Sequence, residues 1–381
     1  MTDIRRPDHE RRHEPPSGPT TTPASEDQAA GNPPGRRGTG RAWTRLALMT
    51  LGPVMGALLL SGLLLLALGV DPIAYYGFVL ERGLINAYGL QATFTRMGTL
   101  LLIAAGLIVA FRAGLWNLGG DGQFLLSAVA VAALAPLLTP HLPIALVLLA
   151  GLLAGAAVGA AWSMLPALLK AYQGINEVIT TLMTSFLGIS LANVLVKLAF
   201  HDPATTVPQT RTLAVADRLP RLFGTTVSSG LLLGLGAIIV VHLVMTRTAF
   251  GLKLRVVGAN PRAAIHAGLP VPMLTVAAFA ISAALTGLAG AVEILGVQGN
   301  VRADWNPAYS LTVIPLVFLA RFNGFAAIGF VFLFSVLSIG GESAARRTGV
   351  PNFFTLVVVA ILLVMLGIAE YLDKRHRTAR R

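Results

Sequence analysis

Thr248-Ala-Phe-Gly-Leu-Lys-Leu-Arg-Val-Val-Gly-Ala-Asn-Pro-Arg-Ala-Ala-Ile-His-Ala-Gly-Leu269 is the one long, basic, polar segment held between two strongly apolar runs. Asn260 suits an N-cap, Pro261 the first helical position, and Gly268 the left-handed residue that ends a helix. The spacing predicts a helix of about two turns, Pro261 to Ala267, lying at a membrane surface and capped at both ends. Its side chains are small, with Ala263, Ala264 and Ala267 around one Ile265, so another protein's groove would close on it without meeting bulk. An ordinary solvated loop with one helical turn satisfies the same spacing, and the segment alone leaves both readings open.

Composition explains the flanks. The chain of 381 residues is 55% hydrophobic and only 12% charged, which is outside the range of a soluble domain and implies a polytopic membrane protein. In a soluble chain a net charge of +12 would suggest nucleic acid. Here Lys and Arg gather in the two tails and a few loops, so positive-inside topology accounts for them and no nucleic-acid partner is expected. Zero cysteines exclude disulfides, thiolate chemistry and Cys-bound metals.

Residues 1–45 are rich in Pro, Gly, Arg, Asp and Glu without apolar periodicity, and read as a disordered cytoplasmic tail. No apolar region follows Arg5-Arg6 within a signal peptide's length. Residues 46–372 read as an all-α transmembrane domain, with a polar loop at 248–272, and 373–381 as a basic cytoplasmic tail. At about 20 residues per crossing, spans fall near Leu46–Val70, Gln91–Phe111, Gly114–Leu138, Pro143–Leu169, Ile175–Phe200, Val227–Met245, Met273–Val297, Leu311–Ala320, Ala326–Gly340 and Phe353–Tyr371. About ten spans put both termini in the cytoplasm, in agreement with Arg112, Lys170, Arg247, Lys253, Arg255 and Arg321. Arg211, Arg218, Arg221, Arg346 and Arg347 dissent, and eight spans satisfy the same even count.

Three stretches carry polar chemistry inside apolar sequence. Ala113-Gly-Leu-Trp-Asn-Leu-Gly-Gly-Asp-Gly-Gln123 sets glycines and an Asp where a lipid-facing helix would continue. A charged Asp near the bilayer centre costs about 2.5–3.5 kcal/mol, so the helix is expected to break there, unless the stretch is a turn between spans two and three. A broken helix would offer Trp116, Asn117, Asp121 and Gln123 to a solute.

In Gly174-Ile-Asn-Glu-Val-Ile-Thr-Thr-Leu-Met-Thr-Ser185, helical spacing puts Glu177, Thr181, Thr184 and Gly188 on one face, next to Asn176. That face either lines a pathway or hydrogen-bonds a neighbouring helix. In span seven Thr275, Ser282, Thr286 and Glu293 fall within about 40° of one another at 100° per residue. They would line a cavity, although hydroxyls bonded back to i−4 carbonyls explain the same pattern. Beside them Ala283, Gly287 and Ala291 form a small-residue ridge for helix packing. If spans one to five and six to ten are repeats, the breaks at Leu118–Gln123 and Leu295–Asn300 occupy corresponding places.

Thr248–Gly268 followed by Ala284-Leu-Thr-Gly-Leu-Ala-Gly-Ala-Val-Glu293 resembles the permease subunit of bacterial ABC importers of the simple-sugar and nucleoside type, from about Leu46 to Tyr371. Asn117–Gln123 resembles that family's Asn-Ile-Gly-X-Glu-Gly-Gln element with Asp121 for the usual Glu. Gly174–Ile179 resembles its Gly-Val-Asn-Glu-Val-Ile signature, with Ser185 where Asn is common. Arg321-Phe-Asn323 and Gly340-Gly-Glu-Ser…Gly-Val-Pro351 are closer to the nucleoside branch, while Ser310 and Leu311 depart from the family pattern.

The resemblance implies that Gly258, Asn260, Pro261, Ala263, Ala264, Ile265, Ala267 and Gly268 belong to a coupling helix that docks on a separate ABC ATPase subunit. It also implies a second permease subunit, identical or related, an extracytoplasmic substrate-binding protein, and a place in the bacterial cytoplasmic membrane.

No phosphate-binding loop, metal-ligand pair or nucleophile elbow is present, so neither cofactor nor metal is expected and the chain does not read as an enzyme. The expected activity is ATP-driven import of a nucleoside, with a simple sugar as the alternative. A proton-coupled carrier acting alone, or an intramembrane enzyme, would instead use Asp121, Glu177 and Glu293.

Overall fold

The computed structural model describes residues 37–351 and most positions between 354 and 371, which are helical; side chains are described from residue 51 onward. The chain divides into two units, Met1–Leu46 and Ala47–Arg381, and residues 37–46 of the first are helical. Helix α1 begins at Arg37, so residues 37–45, expected to belong to a disordered tail, are helical. Residues 1–36 and the basic tail 373–381 lie outside the described residues.

Thirteen α-helices follow in order among the described residues: α1 (Arg37–Ala67), α2 (Pro72–Leu80), α3 (Ala87–Arg112), α4 (Gly120–Leu138), α5 (Ile144–Trp162), α6 (Met164–Gln173), α7 (Glu177–Val194), α8 (Gly230–Arg247), α9 (Ala249–Ala259), α10 (Pro261–His266), α11 (Val271–Glu293), α12 (Tyr309–Leu319) and α13 (Gly324–Thr348). Single π-helical turns extend α2, α7 and α11 at Glu81–Ile85, Leu195–Ala199 and Ile294–Gln298. Among the described residues seven helical segments are long and apolar enough to cross a membrane, α5 with α6 counting as one, and Leu51–Ala67 and Tyr309–Leu319 are shorter apolar helices. The chain is a multi-pass, all-α membrane protein.

Two features differ from the expected spans. The segment after the first span is not a simple loop but α2, capped by Asp71. The ninth span runs to Thr348, because Gly340, Gly341 and Glu342 are accommodated by neighbouring helices. A Cβ on Gly340 would lie 2.1 Å from the Val79 carbonyl oxygen of α2.

The bundle is organised around α3, most of which is buried, and the small and polar face of α11 that packs against it. A helix apolar all round belongs inside, and small residues let such helices approach where lipid supplies no hydrophobic drive. A Cβ on Gly106 of α3 would lie 2.5 Å from the Ser282 carbonyl oxygen of α11, and one on Gly234 of α8 would lie 2.4 Å from that of Gly98 on α3. The expected ridge on α11 meets a glycine ladder on α5. Cβ atoms on Gly155 and Gly159 would fall 2.6 Å from Ala291 Cβ and 2.3 Å from the Ala283 carbonyl oxygen.

These contacts give the directions. Helices α3 and α8 run together, with Gln91 bonded to Thr226 and Thr95 to Ser228, while α11 runs against α3, pairing Thr99 with Glu293. One end of the bundle thus carries α9, α10 and the C-terminal ends of α3 and α8. The opposite end carries the polar loop 202–226. That loop lies on the chain after α11, with Leu219 and Leu213 N–H donating to Leu295 and Gly299 carbonyls at 2.8 and 2.9 Å. Arg218, a dissenter from the charge rule, donates to the Val297 and Leu213 carbonyls, so it is retained for structure rather than topology.

Candidate functional site

At Arg112 the third helix stops, and Gly114 (φ +71°) turns the chain back into the bundle. Residues 113–119 are not helical, and α4 begins only at Gly120, inside the protein next to Thr286 of α11. Helices α3 and α4 are each long enough to cross a membrane, so the stretch is the connection between two spans, the alternative to a break within one helix, and it is folded into the bundle.

The two amides, Asn117 and Gln123, close on each other. Asn117 Nδ2 donates to Gln123 Oε1 at 3.1 Å and to Ser282 Oγ at 3.1 Å, and Gln123 Nε2 donates back to Asn117 Oδ1 at 3.0 Å. All three residues are buried. Thr181 of α7 holds the same loop. Its hydroxyl accepts from Leu118 N–H at 3.2 Å and donates to the Glu177 carbonyl at 2.6 Å. Ser185 Oγ accepts from Gly122 N–H at 3.2 Å, serving an orphan donor of the α4 start that its glycine N-cap cannot serve.

A short helix meets this point. Helix α12 starts beside Gly120, where a Cβ would lie 2.0 Å from Ser310 Oγ. Its N-cap, Ala308, has no side-chain oxygen and a left-handed backbone (φ +50°). Asp121 supplies the missing acceptor from α4, taking the Ser310 N–H on Oδ1 at 2.9 Å. One buried carboxylate thus sits where the positive ends of two helices converge, the environment in which an intramembrane anion is best stabilised. At the far end of α12, Arg321 and Phe322 are also left-handed (φ +51° and +58°), and Arg112 Nη2 donates to the Phe322 carbonyl at 3.1 Å. The stretch from Arg112 to Asp121 therefore holds both ends of α12.

The remaining candidates separate into groups. Trp116 is 40% exposed and stacks with Phe111 and Phe318, at centroid distances of 5.2 and 5.4 Å. Asn176 is exposed and caps α7, accepting from Val178 N–H at 2.9 Å. Glu177 pairs with Lys170 at 2.8 Å. Thr184 and Thr286 donate to backbone carbonyls one turn back, the local bonding that competes with a binding role. Glu293 is buried, accepting from Thr99 at 2.9 Å and Gln298 at 3.2 Å, which places it apart from the Asp121 cluster on α11's far end.

Sequence reading missed a polar group beside Glu293. Arg96 on α3 pairs with Glu342 on α13, donates to Ser338 at 2.8 Å, and lies 5.6 Å from the Tyr309 ring centroid. Arg96 and Glu342 stand 246 residues apart, so only their placement inside apolar runs signalled them.

Helix α10 forms as expected: Asn260 Oδ1 accepts from Ala263 N–H at 3.1 Å, Pro261 leads, and Gly268 is left-handed (φ +75°). Its orientation corrects one expectation, since Ala264 is fully buried against the protein's own helices. The outward positions are Pro261, Ala263, Ile265 (60% exposed), Ala267 and Gly268. Gly258, expected on the docking surface, belongs to α9 and packs inward against Arg112–Gly114. Residues 249–259 had read as polar loop; they form a helix because Thr248 caps them and Gly251, Leu254 and Val257 give them a buried face. Among the described residues no group of His, Asp or Glu is arranged to hold a metal ion.

Residues 89–366 match the family described as branched-chain amino acid transport system / permease component. The chain belongs to this permease family. The glucose ABC transporter permease protein of Haloferax volcanii is 32% identical to this permease over 85% of the chain and 87% of the relative. The nucleoside ABC transporter permease protein NupB of Lactococcus lactis is 28% identical over 85% and 92%, and the guanosine ABC transporter permease protein of Bacillus subtilis 27% over 74% and 81%. No solved structure matches the chain. The 113–119 stretch, the amide cluster, α4 and α12 of the permease lie inside the matched residues.

Proposed function

We propose that this permease is the membrane subunit of an ATP-driven importer that moves a nucleoside across the cytoplasmic membrane. The observation that carries the reading is its likeness to nucleoside permeases, one over 85% of this chain and 92% of the relative and a guanosine permease over 74% and 81%. A hexose is the second reading, favoured by the 32% identity to the glucose permease. Both are uncharged, hydroxyl-rich solutes. Asn117, Gln123 and Ser282 offer them donors and acceptors, and Trp116 offers a stacking face.

In the conformation described, those amides are occupied with each other. A solute's hydroxyls replace them only when the 113–119 loop withdraws, so this arrangement is a closed gate. Both termini and α10 lie on the cytoplasmic side, where Lys253, Arg255 and Arg262 obey the positive-inside rule. Ile265 and its small neighbours seat a separate ATPase subunit, a second permease completes the pathway, and a binding protein delivers the solute to the loop at 202–226. Hydrolysis belongs to the ATPase; the permease itself does no covalent chemistry.

The test is uptake of labelled nucleosides and hexoses by cells with the chain, without it, and with Ile265→Arg, a long charge at the exposed centre of α10. Uptake of one solute class lost in both altered strains supports the reading, provided the variant reaches the membrane. Normal uptake by Ile265→Arg shows that the helix docks nothing.

A further inference from the structure

Three observations converge on the short stretch between α3 and α4. First, α9 and this stretch meet backbone to backbone. A Cβ on Gly258 would fall 2.5 Å from the Arg112 carbonyl oxygen and 2.8 Å from Gly114 N, and a Cβ on Gly114 would fall 2.9 Å from Gly258 Cα. Two glycines opposed in this way allow no side-chain cushion, so displacement of one backbone is passed directly to the other. Second, the stretch holds α12 at both ends, through Arg112 to Phe322 O and through Asp121 to Ser310 N–H. Phe111, Trp116, Phe318 and Phe322 fill the space between, with ring centroids 4.9–5.8 Å apart. Third, α12 is joined to the rest of the chain by left-handed non-glycine residues, Ala308 before it and Arg321 and Phe322 after it. Such strained joints flank an element that moves as a body more readily than it bends. The Nε atoms of Arg112 and Arg255, one on each side of the α9 contact, are buried without hydrogen-bond partners, while Arg112 Nη2 is the atom that reaches Phe322.

We infer that Gly258 is a positioning residue for transport: motion of α9 is passed through Gly258 and Gly114 to the Arg112–Asp121 stretch, which carries α12 with it and so opens the Asn117–Gln123 gate. This rests on the reading that α10, joined to α9 through the single extended residue Asn260, is where the ATPase pushes. The relay makes α12, rather than a long spanning helix, the moving element.

The experiment uses the permease in complex with its ATPase and binding protein in proteoliposomes. The chain has no cysteine, so Leu311→Cys on the exposed side of α12 takes a single environment-sensitive fluorophore. In the labelled parent, ATP is expected to shift the emission. Gly258→Ala is expected to assemble and hydrolyse ATP while solute moved per ATP falls about tenfold, within the range of coupling energies between sites, and the emission shift is lost. Arg112→Gln, which releases only the Phe322 end of α12, is the second variant; it is expected to lower solute moved per ATP in the same direction. A parent whose α12 label is silent during ATP-driven transport overturns the relay, whatever the variants do. So does a Gly258→Ala complex that keeps the parent's transport ratio, and so does an Arg112→Gln complex with unchanged ratio if Gly258→Ala fails to assemble. A parent that transports without any ATPase refutes the importer reading itself, a result distinct from failure of the relay.

Discussion

Removing the Asp121 carboxylate isolates the contact on which the site geometry depends. In the parent, the Ser310 N–H is buried at the first turn of a helix whose own N-cap offers it no acceptor, and Asp121 Oδ1 takes it at 2.9 Å. Asp121→Ala leaves that donor without a partner. A buried hydrogen bond to a charged group contributes about 1.5–3 kcal/mol, so the closed arrangement should weaken roughly 10- to 150-fold relative to alternatives. Asp121→Asn keeps an oxygen in nearly the same place and loses only the attraction of a negative charge to two helix N-termini, about 0.3–2 kcal/mol. The asparagine variant should therefore fall between parent and alanine variant, both in initial uptake at matched membrane abundance and in thermal midpoint of the detergent-purified protein. Parent-like uptake and midpoint in Asp121→Ala would refute the assignment of Asp121 as the cap of α12. An asparagine variant as impaired as the alanine one would show that the group works by titrating, the behaviour of a proton relay.

Gly159→Ala pushes a methyl group to 2.3 Å from the Ala283 carbonyl oxygen, and overpacking of this kind costs about 1–3 kcal/mol; the detergent-solubilised protein should unfold at lower temperature, and an unchanged midpoint would mean α5 and α11 are not packed this closely. Arg96→Gln leaves Glu342 unpaired; because the two side chains are 20% and 37% exposed, the expected loss is on the order of 1–2 kcal/mol, between the exposed and buried limits. The charge swap Arg96→Glu with Glu342→Arg should recover much of that stability in the same assay, and failure to recover any would show that the pair does more than tie α3 to α13. Ile265→Arg should abolish co-purification of the ATPase with the permease while leaving the thermal midpoint unchanged, since Ile265 faces outward; retained co-purification would move the docking surface elsewhere.

Local signals carried well from sequence to structure, and contacts distant in sequence did not. Asn260, Pro261 and Gly268 announce α10 because caps act within one turn of chain. The faces Glu177–Thr181–Thr184 and Thr275–Ser282–Thr286–Glu293 are buried because helical periodicity sorts residues without reference to neighbours. Periodicity could not say which side of a six-residue helix faces inward, and Ala264 proved to be inside. Helix α9 was hidden by its basic residues, although the spacing of Gly251, Leu254 and Val257 after Thr248 was available as a sign. The echo between Leu118–Gln123 and Leu295–Asn300 marks two chain breaks, but the latter stretch is a π-turn and its exit; the helix that begins against α4 is α12, after eight further residues of loop. The double hold on α12 joins Asp121 to a residue 189 positions away and Arg112 to one 210 away, separations at which a single sequence carries no pairing information.

Energy coupling is the central claim, and transport into proteoliposomes holding the chain with or without its ATPase and binding protein tests it most directly. Labelled nucleoside should accumulate only when the ATPase, the binding protein and ATP are all supplied, and a proton gradient should neither replace them nor add to them. Accumulation by the chain alone under a proton gradient would contradict the account and identify Asp121, Glu177 or Glu293 as the place to look for the carrier's proton.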